Sequence, residues 1–466
     1  MPGGEPGRGK ENTNMKKSRK LVSVLLALVL AVSVFALPAA AAPSGGKYDN
    51  TMYPTVFVHG LMGWGSYDDI NDLVPYWGMS TGDLPDYLNS KGYNCYAASV
   101  GPLSSAWDRA CELYAQLTGS RVDYGAAHSA KYGHARYGVD YGPYNQLIPG
   151  YKWSAENKIN LVGHSFGGAT SRLLLSLLYK GSAQERAATT DGSLSPLFTG
   201  GRQDWVYSLT AIAAPSDGTT FIEANGGMTR ATAMLTTALS KALGVSKLKG
   251  VYDFQLEHFG IYKNDNETMT QALDRVLRSS FLDHNDNAFE DLTIDRAVYL
   301  NSSIEMPGNV YYFSYYGNRM YRDELTDTCR PAARMWAPMQ IFAYNSGKYT
   351  GVTAGSFADG YGSAKTTVTV AKQTLGRDWQ PGDGMVNVIS GRCPYHLENG
   401  KAVWDAHVNY GLDTVKSGDD IQPGRWYIMR MQLLDHIGFV GGFFNESTLQ
   451  THQFYLDVMN NIAQCK

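Results

Sequence analysis

The segment Lys158-Ile-Asn-Leu-Val-Gly-His-Ser-Phe-Gly-Gly168 restricts this chain's fold more than any other. An apolar strand runs into Gly163-His164-Ser165-Phe166-Gly167, and a leucine-rich helical pattern follows at once. The backbone has to turn sharply with a serine at the apex, and glycines two residues to either side leave room for strand and helix to approach. The helix N-terminus behind the turn presents unbonded N–H groups and the positive end of its dipole. An ordinary tight turn is the plain alternative, but strand, turn and helix in this order mark Ser165 as a nucleophile.

Apolar β-prone runs recur at Thr55–Val58, Tyr93–Val100, Lys158–Val162, Val206–Ala213, Val310–Tyr315 and Trp426–Leu433. Helical patterns lie between several of them, as at Ala169–Leu178 with Leu173, Leu174, Leu177 and Leu178 on one face. Continuous apolar strands alternating with helices predict an α/β fold, a mostly parallel central sheet with helices on both faces. With 466 residues, 44% of them hydrophobic and 18% charged, the chain can bury a large core, which excludes global disorder. The spacing predicts one large domain over 43–466, and the Gly-, Ser-, Thr- and Ala-rich stretch 342–376 reads as a long loop or excursion.

Residues 1–42 read as an N-terminal extension and signal peptide: from Met15 the sequence runs MKKSRK, an apolar stretch Leu21–Leu37, then PAAAAP, with cleavage near Ala41. A transmembrane anchor is the alternative, disfavoured because a small-residue cluster follows and no stop-transfer pattern does. The mature protein is therefore expected to be secreted, with no transmembrane segment. The net charge is −3, and most of the bases near the N-terminus lie in that leader, which leaves the remainder acidic and argues against nucleic acid as a partner. Cys95, Cys111, Cys329, Cys393 and Cys465 form no CxxC motif. An oxidising exterior permits one or two disulfides, whose pairing spacing alone does not define.

A nucleophilic serine on such an elbow needs an acid and then a histidine later in the chain. Of His396, His407, His436 and His452, the last opens the final helical pattern Thr448–Ile462, while His396 and His407 lie in polar, turn-rich sequence. His436 follows directly on the strand at Trp426 and is favoured, with His407 the alternative. For the acid, Asp217 and Asp383 both precede glycine after an apolar run; Asp383 is favoured, and Asp217 suits a loop hydrogen-bonding its own backbone. Thr55-Val-Phe-Val-His-Gly-Leu-Met-Gly63 places the Leu61 N–H after the first strand, where it would pair with the Phe166 N–H as an oxyanion hole. His59 reads as structural.

With these residues identified, the chain resembles the secreted bacterial true lipases of family I.5, the thermoalkaliphilic Bacillus/Geobacillus group, over about residues 53–466. The likeness is carried by Val58-His-Gly-Leu-Met-Gly-Trp-Gly65, Val100-Gly-Pro-Leu-Ser-Ser-Ala-Trp-Asp-Arg-Ala-Cys111, Val122-Asp-Tyr-Gly-Ala-Ala-His128 and Gly133-His-Ala-Arg136. Leu194-Ser-Pro-Leu-Phe198, Ala214-Pro-Ser-Asp-Gly-Thr-Thr220 and Val251-Tyr-Asp-Phe254 extend it. The resemblance implies an α/β-hydrolase fold cleaving carboxyl esters of lipids, with the triad on Ser165, Asp383 and His436 and the oxyanion hole on Leu61 and Phe166. It implies a structural zinc, Zn2+ held by Asp108, His128 and His134 of an insertion at about 103–140 together with Asp286, with Asp283 and His284 close enough to replace Asp286 if the register slips. The family's calcium site is not expected here, because Ile437-Gly-Phe-Val-Gly-Gly-Phe-Phe444 offers no carboxylate before Glu446.

An insertion at about 218–262 contains Met228, Ala231, Met234, Leu235, Ala238, Leu239, Ala242 and Leu243 at helical spacing, ending at Gly244. The resemblance implies a helical lid; the alternative is a core-packed helix. The function expected is that of a secreted serine lipase or carboxylesterase acting on triacylglycerols, at a lipid–water interface where the substrate is aggregated. A hydrolase of another acyl class, such as a phospholipid, polyester or peptide, and a non-catalytic binding protein that kept the fold remain as alternatives.

Overall fold

The strands form where β-branched and aromatic residues alternate between two buried faces. In the central sheet they are β1 (Thr55–Val58), β2 (Cys95–Ala98), β3 (Ile159–His164), β4 (Val206–Ile212), β5 (Tyr311–Tyr315), β6 (Asn409–Leu412) and β7 (Trp426–Met429), all but β6 ending within a few residues of an apolar run. The computed structural model describes residues 53–465 other than 360–365, 399–400, 404–408, 413–419 and 443–446. The extension and signal peptide lie outside the described residues.

All seven strands pair in parallel, in the order β6-β7-β5-β4-β3-β1-β2. Val56 and Val58 of β1 face one hydrophobic cluster while Phe57 faces the other, and in β5 Tyr312 opposes Tyr311 and Phe313. On one face lie α1 (Leu84–Ser90) and, at the C-terminus, a long helix at Thr448–Ala463; on the other pack α2 (Ala106–Thr118) and α3 (Phe166–Lys180). In α3, Leu174, Leu175, Leu177 and Leu178 are buried, each stabilising the fold by roughly 1.5–3 kcal/mol. A parallel sheet covered by helices on both sides is the α/β arrangement expected from the alternation of elements, and it agrees with the α/β-hydrolase-like fold that the resemblance implies.

Two stretches differ from the sequence reading. The segment 342–376 is not one loop: it holds the end of a helix at Ala337–Ser346 and strands Gly351–Val352, Ser356–Asp359, Thr366–Thr369 and Thr374–Leu375, paired as two small antiparallel ribbons. The edge strand β6 falls in sequence that reads as turn-rich, since an edge strand needs little apolar sequence to pair. All five cysteines are buried and none is in a disulfide. Among the described residues, no helix is long and apolar enough to cross a membrane.

Candidate active site

β1 and β3 are neighbours in register, Val58 beside Gly163, so the loops leaving their C-terminal ends meet. Ser165 sits in the turn between β3 and α3 at φ 55°, a left-handed conformation that a non-glycine residue occupies only under tertiary constraint. Its N–H donates to the Ile212 carbonyl at 2.8 Å and its carbonyl accepts from the Gly168 N–H at 2.9 Å, which hold the turn from both sides. The flanking glycines are required by close approach. A Cβ on Gly167 would stand 2.0 Å from the Val58 carbonyl oxygen, and one on Gly163 would stand 2.6 Å from the Gly167 carbonyl carbon. Gly167→Ala is thus expected to cost at least about 1–3 kcal/mol, because backbone on the other side cannot yield as a side chain can. A denaturation midpoint at the wild-type value would contradict it.

The loop after β7 carries His436, which is buried. Its Nδ1 lies 2.9 Å from Asp383 Oδ2, and its N–H donates to the Asp383 carbonyl at 3.0 Å. Asp383 is also buried; its Oδ1 accepts the Met385 and Val386 N–H groups at 2.9 and 2.7 Å, fixing the carboxylate so that Oδ2 faces the imidazole. The His436 ring packs 4.7 Å from that of His164, which brings it to the residue preceding Ser165. Asp217 points elsewhere: its Oδ1 accepts from Asn301 Nδ2 at 2.8 Å and the Tyr395 N–H at 3.1 Å, and burial pushes its carboxyl well above the usual range. His452 stacks on Tyr87 with ring centroids 3.6 Å apart, His396 lies in the short strand His396–Glu398, and His407 is outside the described residues.

Phe166 opens α3, so its N–H is among those a helix leaves without an intrahelical acceptor. In the loop after β1, the Gly60 N–H is taken by Tyr76 Oη, that of Met62 by the Pro102 carbonyl and that of Gly63 by the Gly60 carbonyl; the Leu61 N–H lies between them. Gly60 packs directly on Ser165, since a Cβ there would stand 2.6 Å from the serine Cβ. Beneath this loop lies Arg109, fully buried, which the sequence reading left without a role. Its Nε donates to Thr170 Oγ1 at 2.8 Å, its Nη1 to the Gly101 carbonyl at 2.9 Å and its Nη2 to the His59 carbonyl. Its only sequence signal is its place beside Asp108 in Trp-Asp-Arg-Ala.

Asp108, His128, His134 and Asp286 converge, each offering a ligand atom within 4.8 Å of the others. Asp108 lies in the first turn of α2, His128 on the helix Ala126–Tyr132 and His134 just past its end. Asp286 is drawn to them by the Ser104–Asn287 bridge and by the Ala288 N–H donating to the Leu103 carbonyl at 2.9 Å. His128 Nε2 stands 2.9 Å from Asp286 Oδ2 and 3.2 Å from Asp108 Oδ1, and His134 Nε2 stands 3.2 Å from Asp286 Oδ2. Bonds of about 2.0–2.1 Å to a tetrahedral ion put neighbouring ligand atoms about 3.3 Å apart, close to these spacings. Of the two replacements considered for Asp286, Asp283 is exposed and His284 Nδ1 is turned to the Tyr132 carbonyl.

The donor atoms fit a cation. Asp108 Oδ1 and His134 Nε2 are buried without a hydrogen-bond partner, while His134 Nδ1 donates to the Ala135 carbonyl at 2.9 Å, which leaves the Nε2 lone pair facing inward. Burial disfavours the charged His128 ring, yet Asp286 and Asp108 outweigh it and raise its pKa to about 10: two buried carboxylates demand positive charge at this point. His258, which nothing in the sequence singles out, lies 3.1 Å by its Nε2 from Asp108 Oδ2 and leaves Oδ1 to the cluster.

The insertion around residue 235 forms α4 (Met228–Ala242), with Gly244 at φ 73° just past its end. Ala231, Leu235 and Leu239 are buried in the cluster that also contains Met62, Trp64, Tyr252 and Phe254. Tyr252 Oη donates to the Met62 carbonyl at 2.8 Å, joining this insertion to the loop after β1, and Ser165 is only 6% exposed.

Residues 51–355 match the family model described as "Lipase-like, C-terminal domain". "Lipase 1" of Staphylococcus aureus is 32% identical over 426 residues, 90% of this chain, and the chain spans about half the length of that curated relative, 55%. Among solved structures, EstA from Clostridium botulinum superposes with a TM-score of 0.71 at 32% identity over 89% of this chain and 87% of that one. Lipase 1 from Pelosinus fermentans superposes at 0.69 with 34% identity over 89% of this chain and 99% of that one. A match of that breadth, on a fold whose serine elbow and buried Asp383–His436 pair had already come together, makes the chain a member of the bacterial lipase family.

Proposed function

We propose that the chain is a lipase or carboxylesterase that hydrolyses carboxyl esters of lipids, triacylglycerols among them, through an acyl-enzyme on Ser165. The observation that carries this reading is the buried 2.9 Å contact between Asp383 Oδ2 and His436 Nδ1, in a loop packed against the serine elbow. His436 Nε2 takes the Ser165 proton as Oγ attacks the ester carbonyl and returns it to the departing alcohol; Asp383 holds the ring's tautomer and orientation. The N–H groups of Leu61 and Phe166 receive the oxyanion, and water releases the acid by the same steps in reverse order of partners. A chain-length series of p-nitrophenyl esters, beside a triglyceride emulsion, a phospholipid and a peptide, tests it: hydrolysis of the peptide or phospholipid alone would overturn the lipid-ester assignment.

The motif likeness supports placing the chain with the I.5 lipases, and its signal-like leader supports secretion. Asp108, His128, His134 and Asp286 are assigned to a structural zinc within the 103–140 insertion and its neighbouring loop. The ion, when bound, supplies cross-linking charge; with four protein ligands it leaves no open position for a reacting oxygen.

The insertion at 218–262 is assigned as a lid in its closed position, on the burial of Leu235 and Leu239 in the cluster that holds Met62 and on the Tyr252–Met62 hydrogen bond. A lipid surface favours the conformation that exposes Leu235 and Leu239. Turnover of a short-chain triglyceride is therefore expected to step upward as its concentration passes the solubility limit, and Leu235→Ser with Leu239→Ser to flatten that step. A smooth saturation curve in wild type, with the variants merely melting lower, would return α4 to the core.

A further inference from the structure

The two halves of the acyl-transfer site come from opposite ends of the chain: the oxyanion loop follows β1, and the base stands in the loop after β7. Three hydrogen bonds through buried groups join them. The Gly60 N–H donates to Tyr76 Oη at 3.1 Å, Tyr76 Oη lies 2.7 Å from His164 Nδ1, and His164 Nε2 lies 3.1 Å from the His436 carbonyl oxygen. Tyr76 is 4% exposed and His164 1%.

The direction of this chain is fixed by its ends. A backbone N–H only donates and a carbonyl only accepts. The His436 carbonyl requires His164 to donate from Nε2, and burial, foremost, with the neighbouring His436 holds the His164 pKa well below the ordinary value, so the ring is neutral. A neutral Nε2–H ring carries a lone pair on Nδ1, which takes the Tyr76 proton, while Tyr76 Oη accepts from the Gly60 N–H. A polar chain whose every member is satisfied gives a buried site one arrangement, whereas breaking any link strands a buried donor or acceptor.

We propose that Tyr76 and His164 are positioning residues that tie the oxyanion loop to the backbone of His436, so that Ser165, its base and the Leu61 N–H keep one relative geometry. This rests on the reading of Ser165, Asp383 and His436 as the triad. Both side chains are buried, with their polar atoms engaged by protein groups. Each acts on the site through another residue's backbone: Tyr76 through Gly60, the residue before the oxyanion donor, and His164 through the peptide that carries the base. Displacements of about 1 Å at such a site cost on the order of 10²-fold in rate.

Tyr76→Phe and His164→Leu are expected to lower kcat about 10- to 100-fold with KM nearly unchanged, and His164→Gln, whose amide keeps one acceptor and one donor, to recover part of the loss. Ser165→Ala in the same assay separates the two readings. If it stays active, the triad reading fails; if it is dead while Tyr76→Phe keeps wild-type kcat, the positioning role alone fails. A second readout reports ring chemistry in the wild-type enzyme and not turnover. In 15N-histidine NMR at pH 7, the ring signals absent from His164→Gln, or from Ser165→Ala/His164→Gln, belong to His164 and should show the neutral Nε2–H form. An Nδ1–H or doubly protonated ring would overturn the proposal.

Discussion

Ser165→Ala is expected to give a folded protein whose ester turnover is lower by about 10⁴- to 10⁶-fold. The side chain is the only one at the apex of the β3–α3 turn, and alanine keeps the Cβ that packs on Gly60, so the loss falls on chemistry and not on packing. More than about a hundredth of wild-type turnover in the purified variant would remove Ser165 from the mechanism. The acid is tested in the same assay. Asp383→Asn can still accept the Met385 and Val386 N–H groups, but it turns an amide N–H toward His436 Nδ1 and forces the wrong tautomer, a loss on the order of 10⁴ in kcat. Asp217→Asn meets Asn301 and the Tyr395 N–H far from the imidazole, so its turnover should remain within about 10-fold of wild type. Reversal of that order would move the acid to Asp217.

The elements that sequence made legible are those whose signal is local. The elbow shows because strand, two glycines and helix are contiguous, and the strands show because a parallel sheet buried on both faces leaves near-continuous apolar runs. What escaped is set by contacts between distant segments. Tyr76 and Arg109 lie in unremarkable stretches, and their partners are 88 and 61 residues away. His258 reaches Asp108 across 150 residues. The edge strand β6 and the ribbons within 342–376 escaped for the opposite reason: short, partly polar strands carry too weak a pattern to separate from loop.

The native protein is expected to hold about one zinc per chain and to lose several degrees of melting temperature when a strong chelator removes it. Two imidazole nitrogens and two carboxylate oxygens at near-tetrahedral spacing suit zinc better than the all-oxygen, higher-coordinate shells of calcium or magnesium. The ion would tie Asp286 to a helix 158 residues earlier, so its stabilisation should exceed that of any single ion pair in the cluster. His128→Ala gives the decisive comparison: it should be zinc-free, melt near the chelated wild type, and show no further fall with chelator, because both treatments remove the same interaction. Activity should decline only as structure does, since all four positions are filled by protein. Calcium behaves oppositely: the described turn Gly438–Val440 after His436 and the glycines that follow offer no carboxylate, and Glu446 lies outside the described residues. Calcium added to the zinc-replete protein should therefore shift melting by no more than about a degree. Zinc-free native protein with an unchanged melting curve would remove the first assignment, and a large stabilisation specific to calcium would remove the second.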